Sequence, residues 1–219
     1  MVSEGCVGVV SKRLESCFSG GLVRRGLRIP VSRPTGWSVA SLRGCLSELS
    51  GDRARATLSL AFELVYEAQA CGDPVAFVTG TRSVFYPPDV ASVGVDLGGL
   101  VVVRVADVSK RLGAAIHLAR SGAFGLLVID LEAKVRVPGA VLTALVGHAQ
   151  QHEMAVVFLT EKGRGYPSVG SVIRVRAEGC RRKVSGEASH VCQVEILKDK
   201  RRGPGFIRRE AYCGPDGLC

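Results

Sequence analysis

The chain has 219 residues, 47% hydrophobic and 22% charged, enough to bury one sizeable core with a small appendage. Twenty-nine basic residues against 20 acidic ones give a formal net charge of +9, which favours an acidic partner such as nucleic acid and equally favours solubility. Eight cysteines contain no C-x₂-C pair, which argues against the common zinc and disulfide frameworks, and no apolar run is long enough to span a membrane.

Residues 1–35 are weakly patterned. Val7–Phe18 has the character of a short helix, and Arg24, Arg25, Arg28 and Arg33 form a basic stretch around Ile29-Pro30-Val31. The segment reads as an arm or linker that could dock a partner, or as a flexible terminus. Met1–Gly5 lack the basic region and apolar core of an export signal, so a cytoplasmic protein with reduced thiols is expected.

The remainder, 36–214, reads as one domain, with 215–219 as a tail. A strand at Cys45–Leu49 ends in Ser50-Gly51, and a helix with an apolar face follows over Ala54–Ala70. Gly72 and Pro74 stop that helix. Val75–Val78 and Leu100–Val103 read as strands, Val108–Arg120 as a helix capped by Asp107, and Leu126–Ile129 as a strand ending in Asp130. A helix over Ala140–His152 and a strand at Val156–Leu159 continue the alternation. Val172–Val175, Cys192–Leu197 and Phe206–Arg209 then carry interleaved polar residues and read as antiparallel strands. The expected class is α/β: a mostly parallel sheet between helices, with an antiparallel extension at its carboxyl-terminal side.

The apolar strand ending in Asp130 has the form of a Walker B strand. Its Walker A counterpart, Gly51-Asp52-Arg53-Ala54-Arg55-Ala56-Thr57, has one glycine and no lysine. A phosphate cradle needs glycines that turn successive N–H groups inward, a lysine for the outer phosphates and a hydroxyl for Mg²⁺. In open sheets ligands sit beyond the carboxyl ends of the strands, where Gly51 and Asp130 both fall.

These segments resemble the RecA-type recombinase core. The likeness runs through Gly44–Gly51 with Thr57-Leu58-Ser59-Leu60, through Ala119–Ala123 with Leu127–Asp130, and through Val194–Lys200 followed by a basic run and Tyr212-Cys213-Gly214. Aligned this way, Arg55 stands for the lysine and Ala56 for the Mg²⁺-binding hydroxyl. Thr81 falls at or near the activating glutamate, and Thr160-Glu161 at the nucleotide-sensing pair. The segment Gly163–Gly170 is shorter than the family's DNA-gripping loop. Phe85-Tyr86-Pro87-Pro88-Asp89-Val90-Ala91, Gly94–Leu97 with Leu100–Arg104, and Lys198–Gly205 resemble the ImuA-type proteins, RecA-like accessories of bacterial mutagenic translesion synthesis.

The resemblance implies a non-catalytic accessory of the SOS response that binds DNA without a cofactor. Its implied partners are DNA, an ImuB-type Y-family polymerase-like protein, RecA and a replicative-type polymerase, with nucleoid association following from DNA. Alternatives of other classes are a divergent ATP-dependent recombinase relative and a RecA-like cell-division inhibitor. A residual nucleotide site would use Gly51, Arg55, Thr57 and Asp130. The DNA-binding candidates are Arg181, Arg182, Lys183, Lys198, Lys200, Arg201, Arg202, Arg208 and Arg209, whose charges suit phosphate and carry no sequence readout. A solvated basic face is the plain structural alternative. Phe85–Pro88 would be an exposed aromatic contact or a buried cap on the sheet edge. His148 and His152 lie one helical turn apart, without the glutamate of a zinc-protease motif, and Trp37 reads as packing.

Overall fold

The computed structural model describes residues 37–51, 56–81, 83, 85–92, 94–131, 135–183, 190–203, 205 and 207–212. The arm over 1–35, Arg55, and the tail over 215–219 lie outside these residues.

Long apolar runs make the central strands. β1 (Cys45–Ser50), β2 (Val75–Thr79), β4 (Leu126–Asp130) and β5 (Ala155–Thr160) are buried along their whole length. Strands buried on both faces carry near-continuous hydrophobic sequence, as parallel sheets covered by helices require. With β3 (Leu100–Arg104), β6 (Val175–Lys183), β7 (His190–Asp199) and β8 (Ile207–Tyr212) they form an eight-stranded sheet of order β3-β2-β4-β5-β1-β6-β7-β8. Pairing is parallel from β3 through β6 and antiparallel for β6–β7 and β7–β8.

Two apolar layers clasp the sheet. On one face α1 (Val39–Leu42) and α2 (Thr57–Ala70) pack with Trp37, Phe62, Leu64, Phe77 and Val128. On the other, α4 (Val108–Ser121) and α5 (Gly139–Gln151) pack with Ala76, Leu127, Ile129 and Phe158. Trp37 is fully buried, as its packing role requires. Asp107 caps α4 by accepting from Lys110 N at 2.8 Å. Gly122 ends the same helix at φ 68°, a left-handed turn that favours glycine. At Gly179 a Cβ would come 2.8 Å from Leu60 Cδ1, so glycine lets α2 lie close to β6.

The α/β class and the antiparallel extension stand as expected. Some element assignments change. Val172 lies in a turn, exposed, and the strand runs instead over Val175–Lys183, because β6 pairs with β1 only from Ser47↔Val175 onward. It is also parallel to β1 while antiparallel to β7. The first long helix starts at Thr57, three residues later than its apolar pattern suggests. α1 and the short helix α3 (Pro87–Ser92) are additions; prolines suit a first helical turn, where a missing N–H costs nothing.

Candidate functional site

Three surfaces carry candidate chemistry: the carboxyl edge of the parallel strands and the two sides of the sheet.

At the carboxyl edge, Gly51 is buried and its N–H donates to Thr160 O at 3.1 Å, continuing the β1–β5 ladder. Ala56 is the residue capping α2, 2% exposed and without a side-chain cap bond, and Thr57 begins the helix half-buried. A Ser or Thr at such a position would stabilise the helix by about 1 kcal/mol. β5 stands between β1 and β4, so Gly51 and Asp130 end strands that are not neighbours. Asp130 is 8% exposed and accepts from Thr79 Oγ1 at 2.8 Å. Thr79 is fully buried at the end of β2, adjacent to β4, whereas Thr81 is exposed beyond the strand. The side chain that meets Asp130 is thus Thr79, at the strand end, and not Thr81 beyond it.

Arg111 joins this edge from α4 and is 2% exposed. It donates to Asp130 O at 2.6 Å, Val105 O at 3.1 Å and Ala106 O at 3.4 Å. Nothing in the sequence separates this arginine from the solvated ones. Only its place on the buried face of α4, next to Leu112 and one turn before Ala115, hints at burial.

A second buried charge sits beside β1. Glu48, fully buried, pairs with Lys162 at 2.5 Å and accepts from Thr160 Oγ1 at 2.8 Å and Val169 N at 3.0 Å. Lys162 also donates to Pro167 O at 2.6 Å. Arg176 donates to Gly163 O and Tyr166 O, and Lys200 to Ser171 O. The segment between β5 and β6 is thus held by cations on its own carbonyls. Arg164, at its start, bridges Glu178 and Glu195 at 2.8 Å each, and the Glu178 bond raises its guanidinium pKa above the ordinary value. Tyr166 is exposed beside it.

The basic candidates do not form one cluster. Arg181, exposed, with Arg182 and Lys183, ends β6 opposite Cys192, Val191 and His190. Lys198, Lys200, Arg201 and Arg202, all exposed, lie at the other end of the β6–β7 pair, where Asp199 faces Val175. Nine residues of β6 separate the two ends, a length of roughly 26 Å at strand rise. Arg208 and Arg209 lie between them in β8, at register positions opposite Val194 and Gln193. Lys200 is partly committed, through its bond to Ser171 O.

The opposite side of the sheet is apolar. Among the described residues β3 has no strand beyond it, and Val101 and Val102 are 44% and 36% exposed. Tyr86 and Leu97, also exposed, flank it, the former beside Phe85, whose carbonyl accepts from Arg104 at 3.3 Å. The Phe-Tyr-Pro-Pro segment divides between its two expected roles. Phe85 is 6% exposed and stacks on Phe62 at 5.0 Å, while Tyr86 is 60% exposed.

The thiols sit apart from this chemistry. Burial pushes the Cys192 thiol up to about 11, and burial likewise raises Cys45. Among the described residues no three His, Cys, Asp or Glu side chains form a metal-binding group; His148 and His152 are stacked at 6.3 Å. No helix of the described residues is long and apolar enough to cross a membrane.

The chain is similar to protein RecA. Over 105 residues, 48% of this chain, it is 36% identical to protein RecA of Rhodospirillum rubrum, and it spans 28% of that relative's length. No family model matches the chain. With the strand order above, this likeness makes the fold a RecA-like α/β core.

Proposed function

We propose that the protein is a non-catalytic accessory that binds DNA on one side of its sheet and a protein partner on the other. The observation that carries this reading is the contrast between the two sides. Among the described residues β3 has an unpaired apolar edge, and the β6–β7 hairpin with the turn after it carries exposed cations toward the far side. Five to six strand spacings separate them, roughly 24–29 Å. An unpaired apolar strand is a template for an added strand, and a basic strip suits a phosphate backbone.

The carboxyl edge fits a nucleotide with its metal poorly. Ala56 supplies no hydroxyl, Asp130 is engaged by Thr79, and the intervening sequence has no lysine. Gly51, Thr57 and Asp130 keep structural positions, and hydrolysis is not part of the proposed activity. Similarity to protein RecA supports a role in DNA transactions. Within that, the ImuA-like segments favour mutagenic translesion synthesis in the bacterial damage response. The partner on β3 would then be an extended arm of an ImuB-type polymerase-like protein or of RecA, with a replicative-type polymerase recruited through that complex.

The test is binding of labelled single- and double-stranded DNA across a salt series, with and without ATP. Salt-sensitive, ATP-indifferent binding is expected. Absence of DNA binding in every condition would remove the DNA half of the proposal. Binding that required ATP would revive the recombinase-like alternative.

A further inference from the structure

Arg174 belongs to none of the basic groups that stand out in the sequence, yet the fold sets it inside one. It lies just before β6 and is half-buried. Its N–H donates to Leu46 O at 2.9 Å, at the amino end of β1, and its carbonyl accepts from Lys200 N at 3.1 Å, just past β7. Its guanidinium donates to Ser41 O on α1. Among the described residues it forms no salt bridge with a carboxylate. Arg174 therefore stands between β1 and the basic run over 198–202, on the amino edge of the sheet. Burial raises the Cys45 thiol at the start of β1, and Arg174 and Arg201 both oppose that rise, so the two cations share one neighbourhood.

The turn that carries Arg201 and Arg202 has a fixed shape. Asp199 Oδ1 accepts from Arg201 N at 2.8 Å, Gly203 N donates to Asp199 O at 3.0 Å, and Gly203 takes a left-handed φ of 79°. Lys200 is held by its bond to Ser171 O. Cations already held in place lose little freedom on meeting a phosphate. The far end of β6 differs. Burial raises the Cys192 thiol, Arg181 lowers it and Glu63 raises it, so a buried carboxylate shares that neighbourhood with Arg181. Glu210 stands in the cross-strand row of Arg181, beyond Cys192, and Glu178 and Glu195 hold Arg164. Arg43 continues the amino edge past β1, where Asp73 neutralises it.

Resting on the DNA half of the proposed function, we propose that the phosphate backbone binds at the amino edge beneath β1, β6 and β7, on Arg174 with Lys200, Arg201 and Arg202, and not at the Arg181 end of the ribbon. The six residues of β1, roughly 20 Å at strand rise, then separate bound DNA from Gly51 at the carboxyl edge. DNA held there touches none of the Walker-like residues, which accounts for binding indifferent to ATP.

Acetylation of surface lysines in the full wild-type chain, read by mass spectrometry with and without a duplex oligonucleotide, tests this without any substitution. Lys198 and Lys200 should be protected about threefold or more, and Lys183 and Lys110 should not. In salt titrations Arg174→Gln and Arg201→Gln should each lower the slope of log affinity against log salt by about 0.7–0.9, while Arg181→Gln leaves it unchanged. Arg174→Lys keeps the charge and should retain most of the slope, an outcome that a purely structural role for the guanidinium would not give. If Arg174→Gln does not fold, Arg201→Gln and the protection pattern decide. A wild-type chain that binds no DNA would overturn the DNA reading and this inference together. DNA binding that protects Lys183 and leaves Lys200 open, or a slope that falls with Arg181→Gln and not with Arg201→Gln, would overturn this inference alone.

Discussion

Lys162→Met isolates the energetic role of the charge pair beneath the loop between β5 and β6. Glu48 is fully buried and Lys162 is 5% exposed, at 2.5 Å. Removing the ammonium leaves a carboxylate in the sheet interior with two neutral donors, Thr160 Oγ1 and Val169 N. Breaking one partner of a buried pair costs about 3–5 kcal/mol, because the remaining charge is uncompensated. For a chain of this length that corresponds to a loss of roughly 6–20 °C in melting temperature. Adding Glu48→Gln removes the orphan charge; its amide oxygen can accept from Val169 N and its NH₂ can donate to the rotatable Thr160 hydroxyl, so the double variant should recover most of the loss. Urea unfolding followed by the fluorescence of Trp37, the chain's one tryptophan and fully buried, reads both. A cost below about 1 kcal/mol for Lys162→Met, the level of an exposed pair, would refute the reasoning. So would a double variant no more stable than the single one.

Phe85→Ala should cost about 3–5 kcal/mol, since its ring fills a buried cluster with Phe62 and Phe77, whereas Tyr86→Ala should change unfolding by less than about 0.5 kcal/mol. Equal effects in thermal unfolding would contradict the division of that segment. Val102→Pro removes a backbone donor from the free edge of β3 and should abolish capture of a partner peptide in pull-down or polarisation assays while leaving DNA affinity within twofold. Arg201→Ala with Arg202→Ala should reduce the slope of log affinity against log salt by about 1.5, with no change in sequence preference; an unchanged slope would take the turn off the DNA surface. The raised Cys192 pKa predicts an alkaline limb. Folded and unfolded thiols are both protonated below the ordinary value of 9.0, and stability falls from there toward about 11 as only the unfolded thiol ionises. Cys192→Ala should flatten that limb in unfolding midpoints measured against pH.

Much of this molecule is written in its sequence. Apolar runs at Leu126–Ile129 and Val156–Leu159 specify buried strands because a strand covered on both faces has no polar side to show. Gly72, Pro74 and Gly122 place helix ends by backbone conformation alone, and the composition of Gly51–Thr57 tells that a phosphate cradle is missing. These are local properties, fixed by a residue and its near neighbours in the chain.

Neighbourhood across the sheet is not local. Leu100–Val103 reads like any interior strand, yet the sheet order leaves it at an edge with two valines exposed. The basic groups are less than twenty residues apart in sequence, and a hairpin sends them to opposite ends of one ribbon. Thr79 meets Asp130 across 51 residues because β2 lies beside β4. Glu48, Lys162 and Arg111 resemble ordinary surface charges until packing excludes water from them. Their partners come from other strands and helices, and the cost of burying a charge depends on those partners rather than on the residues beside it.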